Sequence, residues 1–167
     1  MLLSKDTSEI INITLEGNDT TFLIRKTFYN EKAVKQINLL NPYYRAYNSE
    51  KNTAAYEMLY RKVLNIISIS ELDKIKEVHT MWSIKSWDKK NIENSKVILV
   101  SLDSMEKYNG SIPVIRISEP LFTKDKKKAI IYRSYLKNKT GGFGIQILAK
   151  NNGKWKIKGS IPIGTSG

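Results

Sequence analysis

The chain has no cysteine and a single histidine, His79. Without cysteine there is no disulfide, no thiolate nucleophile and no thiolate metal site, and one histidine cannot supply the several that a zinc centre commonly uses. Long apolar runs are missing as well: nothing approaches the roughly 18 consecutive apolar residues of a membrane-spanning helix. The opening residues, MLLSKDTSEI, are too short and too polar for a secretion signal. Acidic residues are scarce toward the C-terminus. Residues 101–167 carry thirteen Lys/Arg against four Asp/Glu, whereas residues 1–50 carry six of each, and the whole chain has a net charge of +12. A basic half suits an anionic partner such as nucleic acid, an acidic protein or a lipid headgroup surface, and equally suits a solvated lysine-rich face.

What is present suffices for a core. Of the 167 residues, 41% are hydrophobic and 26% charged, which fits one globular domain spanning 1–167. DTSEIINITL (6–15) reads as a short helix stopped by Gly17-Asn18-Asp19. TFLIRKTFY (21–29) suits a strand or the start of the helix suggested by KAVKQINLL (32–40), which Asn41-Pro42 ends. Residues 53–67 have Ala55, Leu59, Val63 and Ile66 at helical spacing. Ser70-Glu71-Leu72-Asp73 fits a capping box, and Leu72, Ile75, His79 and Trp82 then form one stripe, so a helix is expected over about 71–82. From residue 95 the period changes to two. Strands are expected near 96–102, 112–118, 128–136, 143–150 and 154–161, separated by turn residues that include Asn109-Gly110 and Asn151-Asn152-Gly153. The expected class is α+β, with mainly helical residues over about 1–85 packed on an antiparallel meander over about 95–163.

Gly141-Gly142-Phe143-Gly144, flanked by lysines, is the stretch that most invites a phosphate-loop reading. Such a loop needs a helix directly after the glycines, with amides aimed at the anion. IQILAK follows instead, and its alternation continues a strand, so the glycines are expected to permit a bend or bulge. Lys126, Lys127 and Lys128 surround a turn at Asp125. Lys156 and Lys158 alternate with Trp155 and Ile157, which places the lysines outward and the apolar pair inward. Arg133 on the neighbouring strand would extend a basic face, and Tyr135 is a candidate stacking ring for a nucleic-acid platform. His79 has no carboxylate at helical contact spacing, which favours a structural histidine over a general base. Trp82 and Trp87 bracket the end of the helix and suit either a ligand pocket or the core. No motif calls for a cofactor or a metal.

SWDKKNI (86–92), ISEPLFTKDKKKAIIYRSY (117–135), GGFGIQILAK and GKWKI (153–157) together resemble a group of small bacterial proteins that often carry a secretion or lipoprotein leader. The resemblance covers about residues 70–163. Two departures stand out: Glu119 occupies a position where a lysine or similar residue is expected, and the cysteines that some members carry before the glycine corner are missing. The closing strand is also similar to that of cystatin-like and NTF2-like folds. The resemblance implies an exported or envelope-associated protein. Three functions follow as expectations. The first is a non-enzymatic binding or interaction domain for a protein or small molecule. The second is a toxin-like nucleic-acid-acting protein using the basic half, with weak, unspecific binding expected of scattered lysines. The third is an NTF2-like pocket enzyme using His79 with an Asp or Tyr.

Overall fold

The computed structural model describes residues 3–17, 19–28, 34, 35, 37, 58, 61–79, 83–103 and 110–166. Helix α1 spans Lys5–Thr14, strand β1 Thr21–Ile24, and helix α2 Ile69–Val78. Strands β2 (Val97–Val100), β3 (Val114–Ile117), β4 (Leu121–Phe122), β5 (Lys128–Lys137), β6 (Thr140–Asn151) and β7 (Lys154–Ser166) follow. They form one seven-stranded sheet in the order β2-β1-β3-β5-β6-β7, with β4 paired to β5 beyond the end of β3.

Each face of the sheet is covered, so the alternating side chains feed two apolar layers. On one face Ile10, Ile11 and Leu15 pack with Ala129, Ile131, Leu148, Trp155 and Trp87. On the other, Leu72 and Ile75 of α2, with Val63 and Ile67, pack against Ile130, Tyr132, Ile145, Ile147 and Ile161. The long ladder owes its register to two two-residue hairpins. Asn138 and Lys139 connect β5 to β6, and Asn152 and Gly153 connect β6 to β7, all four with positive φ. Two left-handed residues in succession match the twist of the flanking strands.

The α+β class and the long C-terminal meander follow the expectation, with three differences. First, the sheet is mixed: β1 lies between β2 and β3 and runs parallel to both, so β2 does not belong to the meander. Parallel neighbours need a long crossover, and residues 25–96 supply it between β1 and β2. Second, the capping box sits two residues early. Ser68 accepts from the Glu71 amide at 3.2 Å, and Glu71 Oε2 accepts from the Ser68 amide at 2.8 Å. Glu71 also takes Lys128 Nζ on both oxygens at 2.9 Å, a reach that Asp73 in the Ser70 register does not have. Third, α2 ends at Val78, with His79 as its C-cap, rather than near 82. Most of the helices expected over 32–40 and 53–67, together with the Asn109-Gly110 turn, fall outside the described residues, although 61–64 are helical.

The glycine cluster lies wholly within β6, and strand continues to Asn151, which removes the setting a phosphate loop requires. Its expected irregularity is present as a register shift against β7 between Phe143 and Gly144. A Cβ on Gly144 would stand 2.3 Å from the Ile161 carbonyl oxygen, so glycine is what allows β7 to come this close. A second shift, between Ile147 and Leu148, falls after Ile157, which pairs with Leu148 and so keeps the face of Trp155. Ile157 is nonetheless 39% exposed, not buried beside Trp155 as its alternation predicts.

Candidate functional site

Of the nine residues singled out in the sequence, the eight that are described do not converge. Trp82 lies outside the described residues. Trp87 is 1% exposed in the α1-side core, where its amide donates to Arg25 O, so it acts as core. His79 caps α2, and its Nε2 lies 3.0 Å from the carbonyl oxygen of Phe122, which ties the helix end to β4. Lys126 and Lys127 are exposed at the β4–β5 turn, where Asp125 accepts from Thr123 Oγ1 and from the Lys127 amide. Lys128 is engaged with Glu71. Lys156 and Lys158 are exposed on β7. Arg133 is five residues from Lys128 on β5, about 17 Å along the strand and on the opposite face. Among the described residues no single basic platform joins these groups.

Arg133 is the exception that leads to a site. Ala129, Ile131, Arg133 and Tyr135 alternate onto the α1 side of β5. The first two are covered core residues, whereas Arg133 and Tyr135 reach a groove of about 420 Å³ that no α1 residue lines. Cross-strand pairing sets Gly144 opposite Arg133 and Gly142 opposite Tyr135, with Gln146 one step along opposite Ile131. Pro162 and Ser160 continue the rows on β7. Of these glycines Gly142 is buried and Gly144 half-buried. A Cβ at Gly142 would meet Tyr135 Cε1 at 3.3 Å, so the tyrosine ring stands against the glycine position, itself 51% exposed.

Two residues that line this groove each carry a polar atom that is buried from solvent and unsatisfied. Arg133 Nε and Gln146 Oε1 are enclosed and have no hydrogen-bond partner. Burial pulls the Arg133 guanidinium below its ordinary value, and nearby Tyr135 acts in the opposite direction. Arginine nonetheless stays charged. The shift therefore expresses the cost of a desolvated cation that lacks a counter-charge. An unmade hydrogen bond at a buried group costs about 1–3 kcal/mol, so each such atom in a native fold calls for a reason.

A larger wedge of about 970 Å³ opens between α1 and β7, past Lys5, Glu9, Asn12 and Trp155. Several of its lining polar groups bond to protein, among them Asn12 Oδ1, which accepts from the Glu93 amide at 2.9 Å, and Asn94 Nδ2, which donates to the Leu15 carbonyl oxygen at 3.0 Å. Asp6 Oδ1 accepts from Lys150 Nζ at 2.6 Å and from Trp155 Nε1 at 3.0 Å, and Glu9 accepts from the Trp155 amide at 2.9 Å. Those bonds from Lys150 and Trp155 hold the Asp6 carboxyl below its usual range. The contacts fasten α1 to the sheet.

The sequence offers Arg133 for a basic outer face and Tyr135 as an exposed ring, and gives no sign of Gln146 beside them. Period-two alternation groups residues along a single strand, whereas this site is assembled across three, by registers that the two hairpins set. Among the described residues no cluster of three or more His, Cys, Asp or Glu side chains forms a metal site. Compared with known proteins, the chain matches no family model, no curated protein and no solved structure.

Proposed function

We propose that this chain is a non-enzymatic binding domain, of the exported or envelope-associated kind that its C-terminal pattern resembles, and that the groove at Arg133 is its ligand seat. The observation that carries the reading is a groove of about 420 Å³ on the part of the sheet face that α1 does not line, with Arg133, Tyr135 and Gln146 among its lining residues. The volume falls within the range of small-molecule pockets, about 300–1,000 Å³. His79, the candidate general base, is instead held at a helix cap by a backbone carbonyl, which favours binding over catalysis.

The nucleic-acid reading has less support. Lys128 and Lys150 are committed to Glu71 and Asp6, and Lys126 and Lys127 sit at a hairpin tip remote from Tyr135. A fragment library screened against uniformly ¹⁵N-labelled protein tests the proposal. Ligands should move the Arg133 Nε–Hε signal and the amides of Gly142, Gly144 and Gln146, and Arg133→Met should abolish those shifts with the melting temperature retained. Hits that map consistently to another surface would refute it.

A further inference from the structure

Once Arg133 is set aside, the lysines of the turns gather at one end of the sheet, where β5 and β7 begin and β6 ends. The Lys150 amide donates to the Lys127 carbonyl oxygen at 2.8 Å, which holds the β4–β5 turn against the end of β6. Lys128, Ala149 and Lys156 are in register across β5, β6 and β7, and Lys154 pairs with Asn151. Neighbouring strands lie about 4.8 Å apart, so the lysines of the β4–β5 turn and those of β7 spring from backbone about 10 Å apart. Lys124, Lys126, Lys127, Lys154 and Lys156 are exposed and, among the described residues, form no ion pair. Lys128 and Lys150 behind them are answered by Glu71 and Asp6. The Asp125 carboxylate turns back to Thr123 Oγ1 and the Lys127 amide, and Glu9 bonds the Trp155 amide, so neither acid closes an ion pair with the exposed lysines.

We propose that this end of the sheet rests on an anionic lipid surface, a docking face separate from the groove at Arg133 and independent of it. Lysines within a Debye length of an anionic leaflet act together, and each is worth about fivefold in partitioning. Three observations favour lipid over nucleic acid, the other extended polyanion. Each cation named is a lysine, a hydrated point charge that suits a diffuse headgroup layer, whereas a guanidinium fork suits individual phosphates. The ring at the centre of the cluster, Trp155, is 2% exposed and gives bases nothing to stack on. Ile157, between Lys156 and Lys158 on the edge strand, is 39% exposed. Its side chain and the lysine stems can enter the headgroup region while the ammonium groups stay in water.

Co-sedimentation with vesicles of phosphatidylcholine, with and without phosphatidylglycerol, tests the inference. Binding should require the anionic lipid and fall steeply between about 50 and about 200 mM salt. Lys154→Gln with Lys156→Gln, and Lys126→Gln with Lys127→Gln, should each weaken partitioning at least about tenfold. Lys137→Gln with Lys139→Gln removes equal charge about 30 Å away, at the β5–β6 hairpin, and should change partitioning less than about threefold. All six side chains are exposed, so the melting temperatures should match the parent. No binding to the phosphatidylglycerol vesicles at the lower salt, or an equal loss from all three pairs, would overturn the docking face. Duplex DNA bound more tightly than the vesicles at equal phosphate concentration, and weakened by the same two pairs, would assign the face to nucleic acid and overturn the lipid.

Discussion

Trp155→Ala should be among the most damaging single substitutions in the C-terminal half. The indole is 2% exposed and packs edge-on to Phe122 with ring centroids 5.8 Å apart, while its Nε1–H reaches Asp6 at 3.0 Å. A buried aromatic of this class covers about 150–250 Å². At about 25 cal/mol per Å² that is worth roughly 4–6 kcal/mol, an upper bound because the unfolded chain already hides part of the area. Measured truncations of Phe and Trp in cores cost about 3–5 kcal/mol, and that range is the expectation. For a chain of this size about 2–4 °C is lost per kcal/mol, so the melting temperature should fall by roughly 6–20 °C. Trp155→Phe separates packing from the hydrogen bond. It keeps a ring against Phe122 but leaves Asp6 with Lys150 alone. Because Asp6 is partly exposed, that bond counts for about 1 kcal/mol, below the usual range for charged partners. Thermal unfolding followed by far-UV circular dichroism, repeated in guanidinium, measures both. A melting temperature within about 2 °C of the parent for Trp155→Ala would refute the reasoning and return the indole to the surface as a recognition group.

Gly144→Ala should destabilise the protein by about 1–3 kcal/mol, the usual range for forced overpacking, because its Cβ would stand 2.3 Å from a backbone oxygen of β7; urea unfolding checks this. Glu119→Ala should cost about 2–3 kcal/mol in the same assay. The buried carboxylate accepts from the Ser83 hydroxyl, the Ser83 amide at 3.1 Å and the Ile84 amide at 2.9 Å, and alanine leaves these donors unanswered. Stability should fall on the acid side. Asp6 titrates below its ordinary value because Lys150 and Trp155 hydrogen-bond to it; Glu71 does so too, since its bonds from Lys128 and Ser68 outweigh the upward push of burial. A folded-state pKa below the unfolded one gives stability that is present above about pH 4–4.5 and is lost as pH falls further. Unfolding measured from pH 6 to 2 should show this loss, and Asp6→Asn combined with Glu71→Gln should flatten it.

Much of the architecture was legible because local chemistry and tertiary demand agree over most of the C-terminal half. Asn152-Gly153 forms the tight turn that its dipeptide announces, and Trp155 is buried as its alternation with two lysines requires. The failures have physical causes of their own. TFLI carries strand chemistry, yet nothing local says that it inserts between β2 and β3; a parallel pairing is decided by the crossover and by the apolar faces that it completes. Ser68 and Ser70 both precede a carboxylate by three residues, so sequence alone offers two capping registers. The choice falls to Ser68 because only Glu71 also meets Lys128, 57 residues away. Ile157 keeps the face of Trp155, opposite Leu148, yet is 39% exposed, so alternation gives the face but not the cover that buries it.

The site was harder to see for a different reason. In a strand sequence an arginine between tyrosines reads as an outward residue. Arg133 does face the side on which Tyr135 is exposed, but its Nε is enclosed. β7 comes closest to β6 at Gly144, where a Cβ would stand 2.3 Å from the Ile161 carbonyl oxygen. Gly142 lies beneath the Tyr135 ring, which a Cβ would meet at 3.3 Å. The glycine cluster thus serves close packing of strands and ring, whereas a phosphate loop would offer amides at a helix terminus. The two uses differ in what a substitution does. A phosphate loop loses its anion when its glycines gain side chains, whereas here a larger residue should cost stability. Gly142→Val should therefore destabilise the fold by about 1–3 kcal/mol in urea unfolding, and a variant as stable as the parent would refute the packing role.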